Sequence, residues 1–134
     1  MRFWNVARYQ CVAQFCGNDP EVLLAAGKMV QHMCDAVDLN LGCPQDIARR
    51  GRYGSFLLEE TELITSIVRT LHEGLDIPVT CKIRCLPTLE ATIALALALQ
   101  DAGCQMLTVH GRTKEENKVV IAVGYQSFGP IEKI

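Results

Sequence analysis

The chain predicts an α/β architecture of parallel strands alternating with helices, and three observations carry that prediction. Four short apolar, strand-like segments are separated by three stretches with helical periodicity. Each helical stretch is long enough for a crossover connection, so the strands it joins pair in parallel through right-handed turns. Polar and reactive residues collect where the strands stop: Gln14, Asn40 with Cys43, Lys82 with Arg84, and His110 with Arg112. In α/β barrels and open α/β sheets the active site lies at the carboxyl ends of the strands. Four successive strands contributing there favour a barrel-type site around one ligand.

Each element follows from local chemistry. Gln10 to Phe15 reads as a short strand. Asn18-Asp19-Pro20-Glu21 opens a helix, with a capping side chain, a first-turn proline and an acid near the positive dipole end. Val22, Leu23, Ala26, Met29, Val30 and Met33 then repeat at helical spacing. Ala36 to Leu41 is the second strand, and it runs into the Gly42-Cys43-Pro44 turn. The run from Arg49 to Leu57 reads as a basic, glycine-containing loop suited to contacting phosphates. Leu63, Ile64, Ile67, Val68 and Leu71 mark a second amphipathic helix, which Gly74 stops. Ile77 to Arg84 is a third strand ending in two cations. Thr88 caps a third helix that runs from Leu89 to the region of Ala102 and ends at Gly103. Gln105 to His110 is the fourth strand, and it delivers His110-Gly111-Arg112-Thr113 at its end.

Composition bounds the function. A length of 134 residues suffices for one domain with a core, and 49% apolar residues exclude global disorder. A net charge of -2 argues against chain-wide electrostatic binding of nucleic acid, so any RNA contact is local. The longest apolar run, Ile93 to Leu99, is too short to cross a bilayer, and no membrane partner is expected. The segment from Met1 to Arg8 lacks the apolar stretch of a secretory signal. Seven cysteines with no Cys-x-x-Cys pair, and three histidines off zinc-ligand spacing, predict no metal site. The set fits a reducing, intracellular compartment, cytoplasmic or nuclear. Cys11, Cys16, Cys34, Cys81, Cys85 and Cys104 read as small buried hydrophobes. Cys43 differs, because a cysteine between glycine and proline on a strand-end turn is poorly placed for core packing.

Each other candidate taken alone has a bland reading. Lys82 snorkels to solvent, His110 is a core histidine, Gln14 is uninformative, and Arg49, Arg50 and Arg52 form a solvated face. Their convergence at strand ends raises them together.

Three segments carry a resemblance. Asn40-Leu41-Gly42-Cys43-Pro44, Thr80-Cys81-Lys82-Ile83-Arg84 and Val109-His110-Gly111-Arg112-Thr113 resemble the signature segments of the tRNA-dihydrouridine synthases. The wording from Leu39 to Gln45, with Arg50-Gly51-Arg52-Tyr53-Gly54, is similar to the eukaryotic type acting on D-loop uridines 16 and 17. The resemblance runs from about Cys11 to Glu116. It implies an FMN-dependent (β/α)8 TIM barrel followed by a helical tRNA-binding domain, with NADPH or NADH reducing the flavin. In the family, the flavin passes a hydride to C6 of an extruded uracil and a cysteine protonates C5. By motif match Cys43 is that general acid. A thiol at the ordinary cysteine pKa is mostly protonated near neutrality and can give a proton. Gln14, Lys82 and His110 match flavin contacts, and the resemblance puts Asn40 by the substrate uracil or the ring, close to Cys43. Arg49, Arg50 and Arg52, with Arg84 and Arg112, are candidates for contact with the tRNA substrate.

The sequence also departs from the family. Nothing before Gln10 matches its Ala-Pro-Met strand. Lys118 to Tyr125 and Gln126 to Pro130 match neither its Asn-Gly strand nor its phosphate-gripping Gly-Arg loop. The reading is therefore one partial TIM-barrel domain over 1–134, with a divergent tail at 117–134 and no helical RNA-binding domain. Such a piece is expected to bind FMN weakly or not at all when isolated, to be inactive by itself, and to self-associate through open barrel edges. Two other classes stay open. One is an FMN barrel oxidoreductase acting on a free pyrimidine, against which the arginine run argues. The other is a non-catalytic interaction fragment.

Overall fold

Residues 11–118 are described by the structure, a computed structural model. The expectations for residues 1–10, the start of the Gln10 to Phe15 strand among them, and for the tail beyond residue 118 lie outside them. The element order is β1 (Val12–Phe15), α1 (Pro20–Val30), β2 (Ala36–Leu41), α2 (Asp46–Gly51), α3 (Thr61–Gly74), β3 (Val79–Arg84), α4 (Leu89–Asp101) and β4 (Met106–His110). Short 3-10 turns cover Gly54–Leu57 and Glu115–Lys118.

The four strands form one parallel sheet in the order β1-β2-β3-β4, each beside its predecessor. That order, with a helix between successive strands, is the topology of a partial (β/α)8 barrel. Register places Gln14, Asp38, Thr80 and Met106 side by side, then Asn40, Lys82 and Thr108, then Arg84 and His110. Strand side chains alternate, so these residues share one face. The opposite face carries Val37, Leu39, Leu41, Val79, Cys81 and Ile83, all with no exposed surface. These residues pack against Leu23 of α1, Ile64, Ile67, Val68 and Leu71 of α3, and Leu95 and Leu99 of α4. Each fully buried Leu or Ile stabilises the fold by roughly 1.5–3 kcal/mol. Helices α1 and α3 approach closely where Gly27 leaves room: a Cβ there would sit 3.0 Å from Leu75 Cδ1.

Helix starts follow the expected chemistry. Asp19 Oδ1 accepts from the N–H groups of Glu21 and Val22 at 2.9 and 3.0 Å, and Thr88 Oγ1 accepts from Ala91 N–H at 3.1 Å. Three expectations need correction. The segment after Cys43 is not a loop throughout: Asp46–Gly51 is a helical turn and a half, with an acid in its first turn and Ala48 fully buried. Arg52 closes it in the left-handed region, φ 50°, donating its N–H to the carbonyls of Ala48 and Arg49. Helix α1 ends at Val30, which leaves Met33 in a turn and 64% exposed. Of the six cysteines read as buried, only Cys81 is; Cys11 and Cys16 are exposed, and Cys34, Cys85 and Cys104 are intermediate. Cys34 and Cys104 still pack against the core from its edge.

Candidate active site

The turn after β2 is fixed by its own strand. Asn40 Oδ1 accepts from the backbone N–H groups of Gly42 and Cys43 at 3.0 and 3.1 Å, an Asx turn that folds the chain back over the strand end. The Cys43 carbonyl accepts from both the N–H and the hydroxyl of Ser55 at 3.0 Å each. Gly54 lies against the cysteine with φ +64°, and a Cβ on it would stand 2.6 Å from the Cys43 carbonyl oxygen. Only glycine takes that backbone shape at so close an approach. Arg84, buried at the end of β3, donates from Nε to the Gly42 carbonyl at 2.7 Å and from one terminal nitrogen to the Thr113 carbonyl at 3.1 Å. One guanidinium thus ties the cysteine turn to the segment after β4.

The sequence-derived candidates mostly converge. Gln14, at the end of β1, accepts at Oε1 from Asn40 Nδ2 at 3.0 Å. Lys82 projects over the same turn: a Cβ on Gly42 would lie 3.7 Å from its Nζ. His110 stands at the end of β4, and its carbonyl accepts from the N–H groups of Cys85 and Arg112 at 3.3 and 2.8 Å. Loss of solvent holds the His110 imidazole below its ordinary 6.5, helped by the cations Arg84, Lys82 and Arg112, so it is mostly neutral at pH 7. Desolvation lowers the Arg84 pKa too, with Arg112 adding to it and Cys43 opposing it. Arg112 therefore belongs to the same cationic group. Arg49 and Arg50 are exposed in the last turn of α2. Arg52 pairs with Glu60 at 3.0 Å on the surface.

Four participants escaped the sequence reading. Asp38 accepts from Gln14 Nε2 and from Thr80 Oγ1, both at 2.6 Å. The Asp38-x-Asn40 spacing on a strand was the available signal, because alternate residues share a face. Ser55 had no such signal. Cys16 donates its thiol to the Asn40 carbonyl at 3.5 Å. Burial raises its pKa and the neighbouring Cys43 adds to this, while the Gly54 N–H acts the other way.

Chemically, the open face of the sheet offers hydrogen-bond donors beside a thiol. Each carboxamide of Gln14 and Asn40 has its oxygen and one N–H engaged in the protein network, which leaves the second N–H of each NH2 group as its remaining donor. The Lys82 ammonium adds a further donor. A flat ring with carbonyl oxygens or ring nitrogens at its edge, and negative charge in one state, complements such a set. Among the described residues no group of His, Cys, Asp or Glu side chains has the arrangement of a metal site, and no helix is long and apolar enough to cross a membrane.

Comparison with known proteins gives one consistent result. The family model for dihydrouridine synthase (Dus) matches residues 5–133, beyond the span carried by the three motifs. Over 105 residues the chain is 57% identical to a rat protein named as an NAD(P)(+) tRNA-dihydrouridine(16/17) synthase-like, and 58% identical to the Saccharomyces cerevisiae synthase of that name. It is 41% identical over 114 residues to a Neisseria meningitidis tRNA-dihydrouridine(16) synthase. These alignments cover 78–79% of the chain. The chain spans about a quarter of the rat and yeast proteins, 24% and 25%, and 33% of the bacterial one.

Proposed function

The chain belongs to the dihydrouridine synthase family, and from that premise we propose that it contributes to reducing uridine to dihydrouridine in the D-loop of tRNA. The proposal includes FMN as bound cofactor and NADPH or NADH as reductant. It is supported by the gathering of Cys43, Gln14, Asn40, Lys82 and His110 at one end of one sheet. The Lys82 ammonium and the second N–H of each carboxamide are donors that fit FMN, whose ring edge carries carbonyl oxygens and ring nitrogens. Gln14, Lys82 and His110 would hold that ring, and when bound it supplies the hydride to C6 of the uracil.

The chain's own residues do the rest. Cys43 gives its proton to C5, and the Asx turn and the Ser55 contacts hold it at the strand end for that transfer. Lys82 would stabilise negative charge on that ring. Neutral His110 adds a polar contact without a further positive charge. Asn40 orients the cysteine turn and presents one N–H toward the base. Arg49 and Arg50, exposed on α2, contact tRNA phosphates as the target base leaves its stack. The 1–134 segment serves as part of one barrel domain, in an intracellular setting.

The test is mass spectrometry of the tRNA D-loop from cells whose gene for this chain carries Cys43→Ala. Dihydrouridine formation is expected to fall by about 10²-fold or more, the range for loss of a general acid. An unchanged dihydrouridine content would overturn the proposal.

A further inference from the structure

The hydrogen bonds on the open face run in one direction. A carboxylate only accepts, so Asp38 compels both neighbours to turn donors toward it. Thr80 gives its hydroxyl to one oxygen and Gln14 gives Nε2–H to the other, at 2.6 Å each. Gln14 must then turn its own oxygen to Asn40, which donates from Nδ2 at 3.0 Å. Asn40 in turn must present Oδ1 to the N–H groups of Gly42 and Cys43, at 3.0 and 3.1 Å. Every donor in the chain points toward the buried charge, and no carboxamide can rotate by a half-turn without facing like against like. Because Asp38 is 7% exposed and Thr80 2%, solvent cannot take over at the inner end.

We propose that Asp38 is the positioning residue for the Cys43 turn, acting through Gln14 and Asn40 rather than by touching the cysteine. Its carboxylate sets which way both carboxamides face, which fixes the amide of Cys43. The inference rests on the reading of Cys43 as the reacting thiol, but its test does not depend on turnover.

That test is residue-resolved amide hydrogen exchange by NMR on the full chain. Asp38→Leu removes the acceptor at similar volume. Exchange at Gly42 and Cys43 is expected to quicken by about tenfold, the factor carried by a lost charge-assisted hydrogen bond. The Cys85 amide, held by the His110 and Arg112 carbonyls on the neighbouring turn, should not move. Asp38→Asn should stay close to the parent, because its oxygen can keep Gln14 while the Thr80 hydroxyl turns to accept from its nitrogen. Gln14→Met, at an exposed position, should quicken the same two amides and abolish any added effect of Asp38→Leu. Unchanged exchange at Cys43 in Asp38→Leu, or an equal rise at Cys85, overturns the proposal. If Asp38→Leu does not fold, unchanged exchange at Cys43 in Gln14→Met does so. A failure here leaves the Cys43→Ala result on tRNA standing, and the reverse also holds.

Discussion

The two faces of β2 are one residue apart and are specified by different physics. Val37, Leu39 and Leu41 enter the helix layer with no exposed surface, and any apolar side chain of the right volume would serve there. Asp38 and Asn40 face the other way into a chain of directed hydrogen bonds, where the identity of each atom decides whether the next bond can form. The helix face supplies stability through area. The open face supplies placement, at little net gain in stability, because each internal hydrogen bond replaces one to water.

That contrast predicts an ordering of effects. Leu39→Ala is expected to destabilise the chain by about 2–5 kcal/mol, from lost transfer energy plus an unfilled cavity. Gln14→Met, on the open face of the neighbouring strand, should cost about 1 kcal/mol or less. Urea unfolding midpoints check both, and equal losses would break the comparison. Arg84→Met comes next. It leaves the carbonyls of Gly42 and Thr113 without their buried donor, for a loss of about 1–3 kcal/mol. It also frees the cysteine turn, so the Cys43 alkylation rate should change, whereas Leu39→Ala should alter it only near its unfolding midpoint.

The same contrast explains what the sequence disclosed. The helix face was legible because bulk is periodic: Leu63, Ile64, Ile67, Val68 and Leu71 gave α3, and the run from Ala36 to Leu41 gave β2 with its observed bounds. The convergence of Gln14, Cys43, Lys82 and His110 was legible because parallel strands must stop on a common rim. The role of Asp38 was only half legible: its spacing from Asn40 puts both on one face, but its partners Gln14 and Thr80 come from register between β1, β2 and β3, which composition does not encode. The α2 turn was hidden for another reason. Arginines and glycines read as loop residues, and only the burial of Ala48 and the left-handed Arg52 make six residues helical.

A smaller effect sharpens the electrostatics of the open face. His110 has its folded pKa below the 6.5 of the unfolded chain, first through loss of solvent and then through Arg84, Lys82 and Arg112. Between those two values the unfolded chain binds a proton that the folded chain refuses. Stability should therefore fall as pH drops through 6.5 and level off below the folded pKa. Lys82→Met removes one of the three cations, so the His110 ring should titrate at higher pH than in the parent, as followed by NMR. An unchanged titration would separate Lys82 from the cluster.

The smallest expected change tests the basic segment beyond the turn. Arg52 holds an ion pair with Glu60 whose side chains are 71% and 37% exposed, so solvent screens most of it. Arg52→Ala should cost only about 0.2–1 kcal/mol, and the difference should shrink in molar salt. Arg52→Gly loses the same pair but relieves a side chain held at φ 50°, a strain of about 1–2 kcal/mol. Its greater freedom when unfolded offsets about 0.5–1 kcal/mol of that relief. Glycine should thus match or exceed alanine in unfolding midpoint. If alanine proved clearly the more stable, the left-handed closure of α2, and with it the path that brings Gly54 under Cys43, would need another explanation.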